Sequence, residues 1–335
     1  MGRSRACLRR AGGLSMRRRH FATALAVLPA ASARGQPRWP ARPVRLVVPF
    51  VPGGPSDVCA RILSERLTVL WEQPVVVENR PGAGGNIGAD LVAKSPPDGL
   101  TLLVPASSII AAPFLVPSIG FDPLRDFAPV AEVVDYPMVV LAHPSVPAKD
   151  MHELVALARA HPGEVTFSSA GVGNTSHLAP ALFANMAGVE MTHVPFAGAA
   201  PSQAAILGGQ VSISFNNPLQ AVAAVRAGRL KALGVTGPAR WRDLPEVPTV
   251  AEQGFPDYEA ISWIGVLAPA ATPAAIVATI EQDLLGLLRE EAVAGRLRAA
   301  GFEMQGQGRA GFGALMEADT RLWGGFIRRA GIRME

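Results

Sequence analysis

The chain has 335 residues, 49% of them apolar and 17% charged, a balance that excludes a disordered protein, because disordered chains are poor in apolar residues and rich in charge. At roughly 150 residues per domain, the length predicts two domains. The formal net charge of +4 depends on seven arginines within the first 33 residues, all ahead of the first acid, Asp57; setting them aside leaves 24 basic against 27 acidic residues, net −3, and no case for a nucleic-acid partner.

The N-terminal segment has the order of an export signal. A basic stretch ending in Arg17-Arg18-Arg19 precedes an apolar run, Phe21 to Ala31, and a small-residue site, Ala31-Ser32-Ala33. Residues 1–33 are expected to be a signal peptide cleaved near Ala33. Arg18-Arg19-His20-Phe21 also fits a twin-arginine motif, which leaves the export route open, and Met16 competes with Met1 as the start. The apolar run falls short of the ~20 residues that span a bilayer. Cys7 leaves with this segment and Cys59 stands alone among apolar helix positions, so Cys59 reads as a small core residue.

From Val44 onward, short β-branched runs alternate with helical stretches. Strands are expected at 44–49, 74–78 and 100–104, with helices at 56–70 and 86–94 between them; this order argues a parallel sheet covered on both faces. A strand at 138–142 follows. The pattern then restarts: helix 150–160, strand 164–168, helix 175–187, strand 191–195, helix 201–208, strand 211–215, helix 218–227 and strand 230–236. After a proline-rich stretch, Pro245 to Pro256, come a strand at 261–267 and helices near 273–290, 291–300 and 309–329. Two successive α/β units with a short return predict two lobes, 40–142 with 257–335 and 143–256, and a cleft between them.

Ligands of open parallel sheets sit beyond the carboxyl ends of strands, at helix starts. Three junctions qualify. The first, Pro49 to Asp57, offers Gly53 and Gly54 for close backbone approach and Ser56 or Asp57 as helix caps; the positive helix end favours an anion. An ordinary turn is its bland alternative. The second, Ser168 to His177, is glycine- and hydroxyl-rich and long for a mere connector. Two facing helix starts suit a ligand with one or two carboxylates, and Gly53→Val or Gly173→Val is expected to block backbone approach. The third, Arg80 to Gly88, resembles a dinucleotide fingerprint but has Ile87 where G-x-G-x-x-G needs glycine, and it follows the second strand. It reads as tight helix-on-sheet packing, with no cofactor. The histidines at 143, 152, 161, 177 and 193 lack metal-ligand spacing, so no metal is expected, and no Ser/His/Asp triad can be assigned. His177, in the first turn of its helix, either reaches a ligand or is structural.

Across the mature chain the sequence resembles the Bug family, the periplasmic solute receptors of tripartite tricarboxylate transporters. The matching stretches include Trp39-Pro40-Ala41-Arg42-Pro43-Val44-Arg45, Val48-Pro49-Phe50-Val51-Pro52-Gly53-Gly54, Gln73 through Ala89, Pro97-Asp98-Gly99, Asp126-Phe127-Ala128-Pro129-Val130, His193-Val194-Pro195-Phe196, Leu207-Gly208-Gly209-Gln210-Val211 and Leu244-Pro245-Glu246-Val247-Pro248-Thr249. The resemblance implies a two-lobed α/β type II periplasmic-binding fold, each lobe a mostly parallel sheet flanked by helices. It also implies a monomer in the periplasm that closes on a small carboxylate and delivers it to membrane permease subunits. By the same resemblance the ligand is held by backbone groups, hydroxyls and water from Pro52, Gly53, Gly54, Ser56 and Asp57; Ser107; Ser168, Ser169, Gly173, Asn174, Thr175 and His177; Ala197 and Gly198; and Asn216. Three departures lower the charge of that pocket: Pro55 for a usual Ser or Thr, Phe196-Ala197-Gly198 for a frequent Tyr-Lys-Gly, and Phe215-Asn216-Asn217 for a frequent Phe-Asp-Asn. No catalytic residue is expected. The rivals are an α/β hydrolase or transferase, which needs a nucleophile–base pair, and a periplasmic sensor subunit for the same ligand.

Overall fold

The computed structural model describes residues 39–116 and 118–333; the expected signal peptide lies outside them. Three apolar runs, β1 (Val44–Val48), β2 (Val75–Asn79) and β3 (Thr101–Leu103), pair in parallel with β1 in the middle. The helices α1 (Pro55–Trp71) and α2 (Asn86–Ala93) make the crossovers. Pro55 sits at the first position of α1, where its missing N–H costs nothing. The helix buries Cys59, Ile62, Leu63 and Leu67 against the sheet. Burial pushes the Cys59 thiol up to about 12, which makes it an inert packing group.

After a short helix, α3 (Ala112–Leu115), the chain runs through β4 (Phe127–Pro137) and, one residue later, β5 (Val139–Ala142). These two strands belong to different sheets. The second sheet is built from β5, α4 (Met151–Ala160), β6 (Thr166–Ser169), α5 (Thr175–Ala187), β7 (Thr192–Pro195), α6 (Ala199–Leu207), β8 (Ile213–Asn216), α7 (Pro218–Arg226) and β9 (Lys231–Val235). The chain returns through β10 (Ile261–Pro269), α8 (Ala274–Leu287), α9 (Glu291–Ala299), β11 (Gln307–Gly308) and α10 (Arg309–Ala330).

The strand orders are β11-β4-β10-β3-β1-β2 and β7-β6-β8-β5-β9. Most strands of each sheet share one direction, as expected, and a minority run against them. β1, β2, β3 and β4 in one and β6, β7, β8 and β9 in the other run in one direction, while β10 and β11 in the first and β5 in the second run against them. The reason is the crossing: β5 and β10 each enter their sheet from the other one, and so run against the strands already there. The segment 138–142, read from sequence as the end of the first lobe, pairs with β8 and β9 in the second sheet.

Thr236 ties the two crossings together. Its Oγ1 accepts from Met138 N–H at 2.7 Å and donates to the Ala260 carbonyl at 2.6 Å, and its backbone pairs with the same two residues. The C-terminal helix α10 buries Phe312 and Met316 in one core cluster and Trp323, Phe326 and Ile327 in another that includes β5 and α5 residues. Among the described residues no helix is long and apolar enough to cross a membrane.

Candidate ligand-binding site

A cavity of about 400 Å³ lies between the loops of the two sheets, within the size range of small-molecule sites. Its wall is formed by residues 49–51, 54–56, 81–85 and 106 together with Tyr136 and Met138, and, from the second sheet's side, by 170–171, 174, 176, 196–199, 202, 215–217 and 220. None of these residues is Lys, Arg, His, Asp or Glu. Recognition of a charged ligand here falls to amide and hydroxyl dipoles.

Five helices begin at this wall. The first amides of any α-helix have no acceptor inside it, and what meets them differs. At α5, Asn174 Oδ1 accepts from the Ser176 N–H at 3.1 Å; at α7, Asn217 Oδ1 accepts from the Leu219 N–H at 2.8 Å. Helix α2 grows out of a tight turn at Ala83–Gly85, whose Ala83 carbonyl accepts from Asn86 N–H. Helices α1 and α6 start instead at Gly54 and Gly198, with no side-chain cap. Pro55 and Pro201 carry no N–H, and the N–H groups of Val58 and Ser202 are accepted by the Gly54 and Gly198 carbonyls. The open amides are those of Ser56 and Asp57 on α1 and Ala199 and Ala200 on α6. Gly198 has φ +128°, and a Cβ there would lie 2.8 Å from Val51 Cγ2; only a glycine lets α6 start so close to the first loop. Beside them, Asn217, 9% exposed, has a buried Nδ2 with no partner, and it shares a small side pocket with Gly53 and Pro55.

Of the residues singled out from sequence, Gly54, Ser56, Asn174, Ala197, Gly198 and Asn216 line the cavity. Asn216 donates its amide to Gln203 Oε1. The others take supporting places. Pro52 and Gly53 lie outside the wall, and the Gly53 N–H is given to Asp57 at 2.9 Å. Asp57 is 3% exposed; burial raises its pKa, but hydrogen bonds from Arg61, Gly53 and Asn79 outweigh this and hold the carboxyl below its usual range. It shapes the loop from behind and presents no charge to a ligand.

The rest of the 168–177 loop is likewise turned inward. Ser107 Oγ lies 3.0 Å from Thr175 Oγ1 and 3.3 Å from Ser262 Oγ, a buried hydroxyl cluster joining the two halves of the molecule. Ser168 accepts from Ser202 Oγ at 2.9 Å. Gly173 packs toward Leu115, and its N–H goes to His177 Nδ1 at 3.1 Å. His177 stacks on His193 with centroids 3.8 Å apart. Burial, with His193 adding to it, pushes His177 down to about 3, and burial pushes His193 down to about 4. Both rings are neutral and structural. The Ser169–His193 contact at 2.6 Å has the outline of a nucleophile–base pair, but Ser169 is fully buried and neither residue reaches the cavity.

Sequence reasoning missed Asn217, Gln220, Tyr136, Met138 and residues 82–85. For Asn217 a signal existed: Asn followed by Pro is a helix-start signature. Gly82, Gly84 and Gly85 do line the wall, while the packing role expected of that segment falls to Gly88, whose Cβ would lie 2.8 Å from the Arg80 carbonyl oxygen.

The family model described as "Tripartite tricarboxylate transporter family receptor" matches residues 59–332. BugT of Bordetella pertussis is 36% identical over 303 residues, 89% of this chain and 92% of that protein. Among solved structures, a Rhodopseudomonas palustris protein with adipate matches at TM-score 0.83 and 36% identity, covering 88% of this chain and all of that one. The periplasmic binding protein BugD matches at 0.81 and 31%, covering 88% and 100%, and MatC of R. palustris, with bound malate, at 0.80 and 33%, covering 85% and 99%. The mixed two-sheet architecture, the cavity between the sheets and these matches lead to one conclusion: the chain belongs to the tripartite tricarboxylate transporter receptor family, whose members are periplasmic solute-binding proteins.

Proposed function

We propose that this protein captures a small organic carboxylate by closing its two lobes and hands it to the membrane subunits of a tripartite tricarboxylate-type transporter. The observation that carries this reading is the pair of uncapped helix starts, α1 from one lobe and α6 from the other, opening into one cavity. Each offers two amides and the positive end of a helix dipole, the arrangement that favours an anion. Because the two starts belong to different lobes, only closure assembles the site, and water exclusion then strengthens the hydrogen bonds. Similar proteins bound to adipate and to malate support a carboxylate ligand.

The protein works as a monomer in the periplasm, after cleavage near Ala33, with lobes that meet at the crossing between β4 and β5 and at Ala260. It makes and breaks no covalent bond. The test is a thermal-shift screen of the purified protein against organic acids, with mass spectrometry of the recovered ligand. Stabilisation by a carboxylate that is recovered intact is expected. Chemical conversion of that ligand, or no shift with any carboxylate, overturns the reading.

A further inference from the structure

Four side-chain amides stand on the cavity wall: Asn174, Asn216, Asn217 and Gln220. Three are engaged within the protein. Asn174 and Asn217 give their Oδ1 atoms to helix-start N–H groups, and Asn216 donates to Gln203 Oε1. Gln220 is the exception. It lies half-buried in the first turn of α7, three residues after the cap Asn217. A glutamine there can turn back to the N–H of the cap, yet the Gln220 amide bonds to no described residue, and neither of its polar atoms is sealed from solvent.

Pro55, Asn217 and Gln220 line both the cavity and the small side pocket next to it, so together they form the partition between the two. Pro55 is the first residue of α1. The uncommitted amide therefore stands beside the α1 start, one of the two helix starts that receive the acid group in the reading above.

Closure of the lobes excludes water, and a polar group left unmatched in a closed site weakens binding. The helix starts serve the carboxylate itself, so Gln220 meets the polar group next to it. An amide has one donating and one accepting end, and a hydroxyl is the small group that uses both. Building on the carboxylate reading above, we propose that Gln220 is a specificity-determining residue and that the ligand is a 2-hydroxy acid, its hydroxyl carried on the carbon beside the carboxylate. A site built to bond a hydroxyl rejects the analogue without one, because its own polar group is then left unpaired.

Two pairs of acids test this: succinate with malate, and hexanoate with 2-hydroxyhexanoate. Within each pair the only difference is one 2-hydroxyl, so the number of carboxylates does not enter the comparison. Calorimetric titration of the purified, exhaustively dialysed protein is expected to show the hydroxy acid of at least one pair binding tenfold or more tighter than its partner. Gln220→Met keeps the length of the side chain without its amide and is expected to bring that ratio close to one; Gln220→Ala is the second variant, and both are checked by circular dichroism. Equal binding within both pairs overturns the inference and leaves the carboxylate-receptor reading standing. So does a loss in the variants that is equal for the two members of a pair, which would mean that Gln220 meets the carboxylate or only supports the wall. No binding by any of the four acids overturns both.

Discussion

Helix starts α5 and α7 face the same cavity as α1 and α6, yet they are chemically opposite. Asparagine side chains close the first two; glycines leave the second two open. In sequence the 49–57 and 168–177 loops look alike, each placing two glycines between a strand and a helix start. The structure separates them by where the donors go. In 168–177, Asn174, His177 and His193 consume the polar groups internally. In 49–57 Asp57 takes the Gly53 N–H, but the first amides of α1, like those of α6 at Gly198, are left for a ligand. A glycine-rich loop is therefore a binding loop only when its own side chains leave the helix-start amides unmet.

The largest expected effect breaks that contrast on the open side. Gly198→Val forces a β-branched residue into φ +128° and drives its Cβ toward Val51. Calorimetry should show carboxylate affinity falling by roughly a hundredfold or more, the scale of losing a charge-assisted pair of hydrogen bonds. Gly173→Val is the control on the closed side. It also stands at positive φ, +79°, and its Cβ would lie 2.5 Å from Leu115 Cδ1, but it does not line the cavity. It should lose roughly 2 kcal/mol of stability while the folded protein keeps its affinity within about fivefold. Equal affinity losses in the two variants would refute the division.

A subtler change separates capping from binding at one residue. Asn217→Asp keeps an oxygen for the Leu219 N–H, and aspartate caps as well as asparagine. It also replaces the free Nδ2 donor with negative charge. Affinity for a carboxylate should fall about tenfold or more while the melting temperature in the absence of ligand holds. A melting temperature that drops with affinity unchanged would mean that Asn217 only caps α7.

Much of this was legible beforehand. Helix 175–187 is where its periodicity puts it, because an asparagine cap and a C-terminal glycine punctuate it. Strand β4 was not legible. Its eleven residues include two prolines and two acids, and the buried Glu132 hides the apolar alternation that marks a strand. The site was half legible: loop chemistry marks where an anion can go, but whether a serine faces the cavity or a neighbouring hydroxyl depends on pairing between residues far apart, such as Ser107 with Thr175 and Ser262. Tyr136 and Met138 reach the wall only because the chain changes sheets between them.

The smallest effect is a pH profile in which the two halves pull in opposite directions. Glu132, 2% exposed with Oε2 unpaired, is pushed by burial, and then by Asp135 and Asp319, up to about 8 from an ordinary 4.5. A raised carboxyl favours the fold below its unfolded value, and that stability is lost as pH rises from about 4.5 through about 8. The buried pair His177 and His193 runs the other way. Their pKa values are depressed from 6.5, so stability is lost as pH falls below 6.5 toward about 4 and 3. Between pH 4.5 and 6.5 the two partly cancel, and wild-type melting temperatures should vary little. Glu132→Gln should raise the melting temperature by a few degrees at pH 8, change it little at pH 4.5, and so uncover the acid limb set by the histidines. His177→Gln should flatten that limb. If Glu132→Gln leaves the profile unchanged, burial does not raise the Glu132 carboxyl in the folded protein, and the flat region of the profile has to be sought outside this balance.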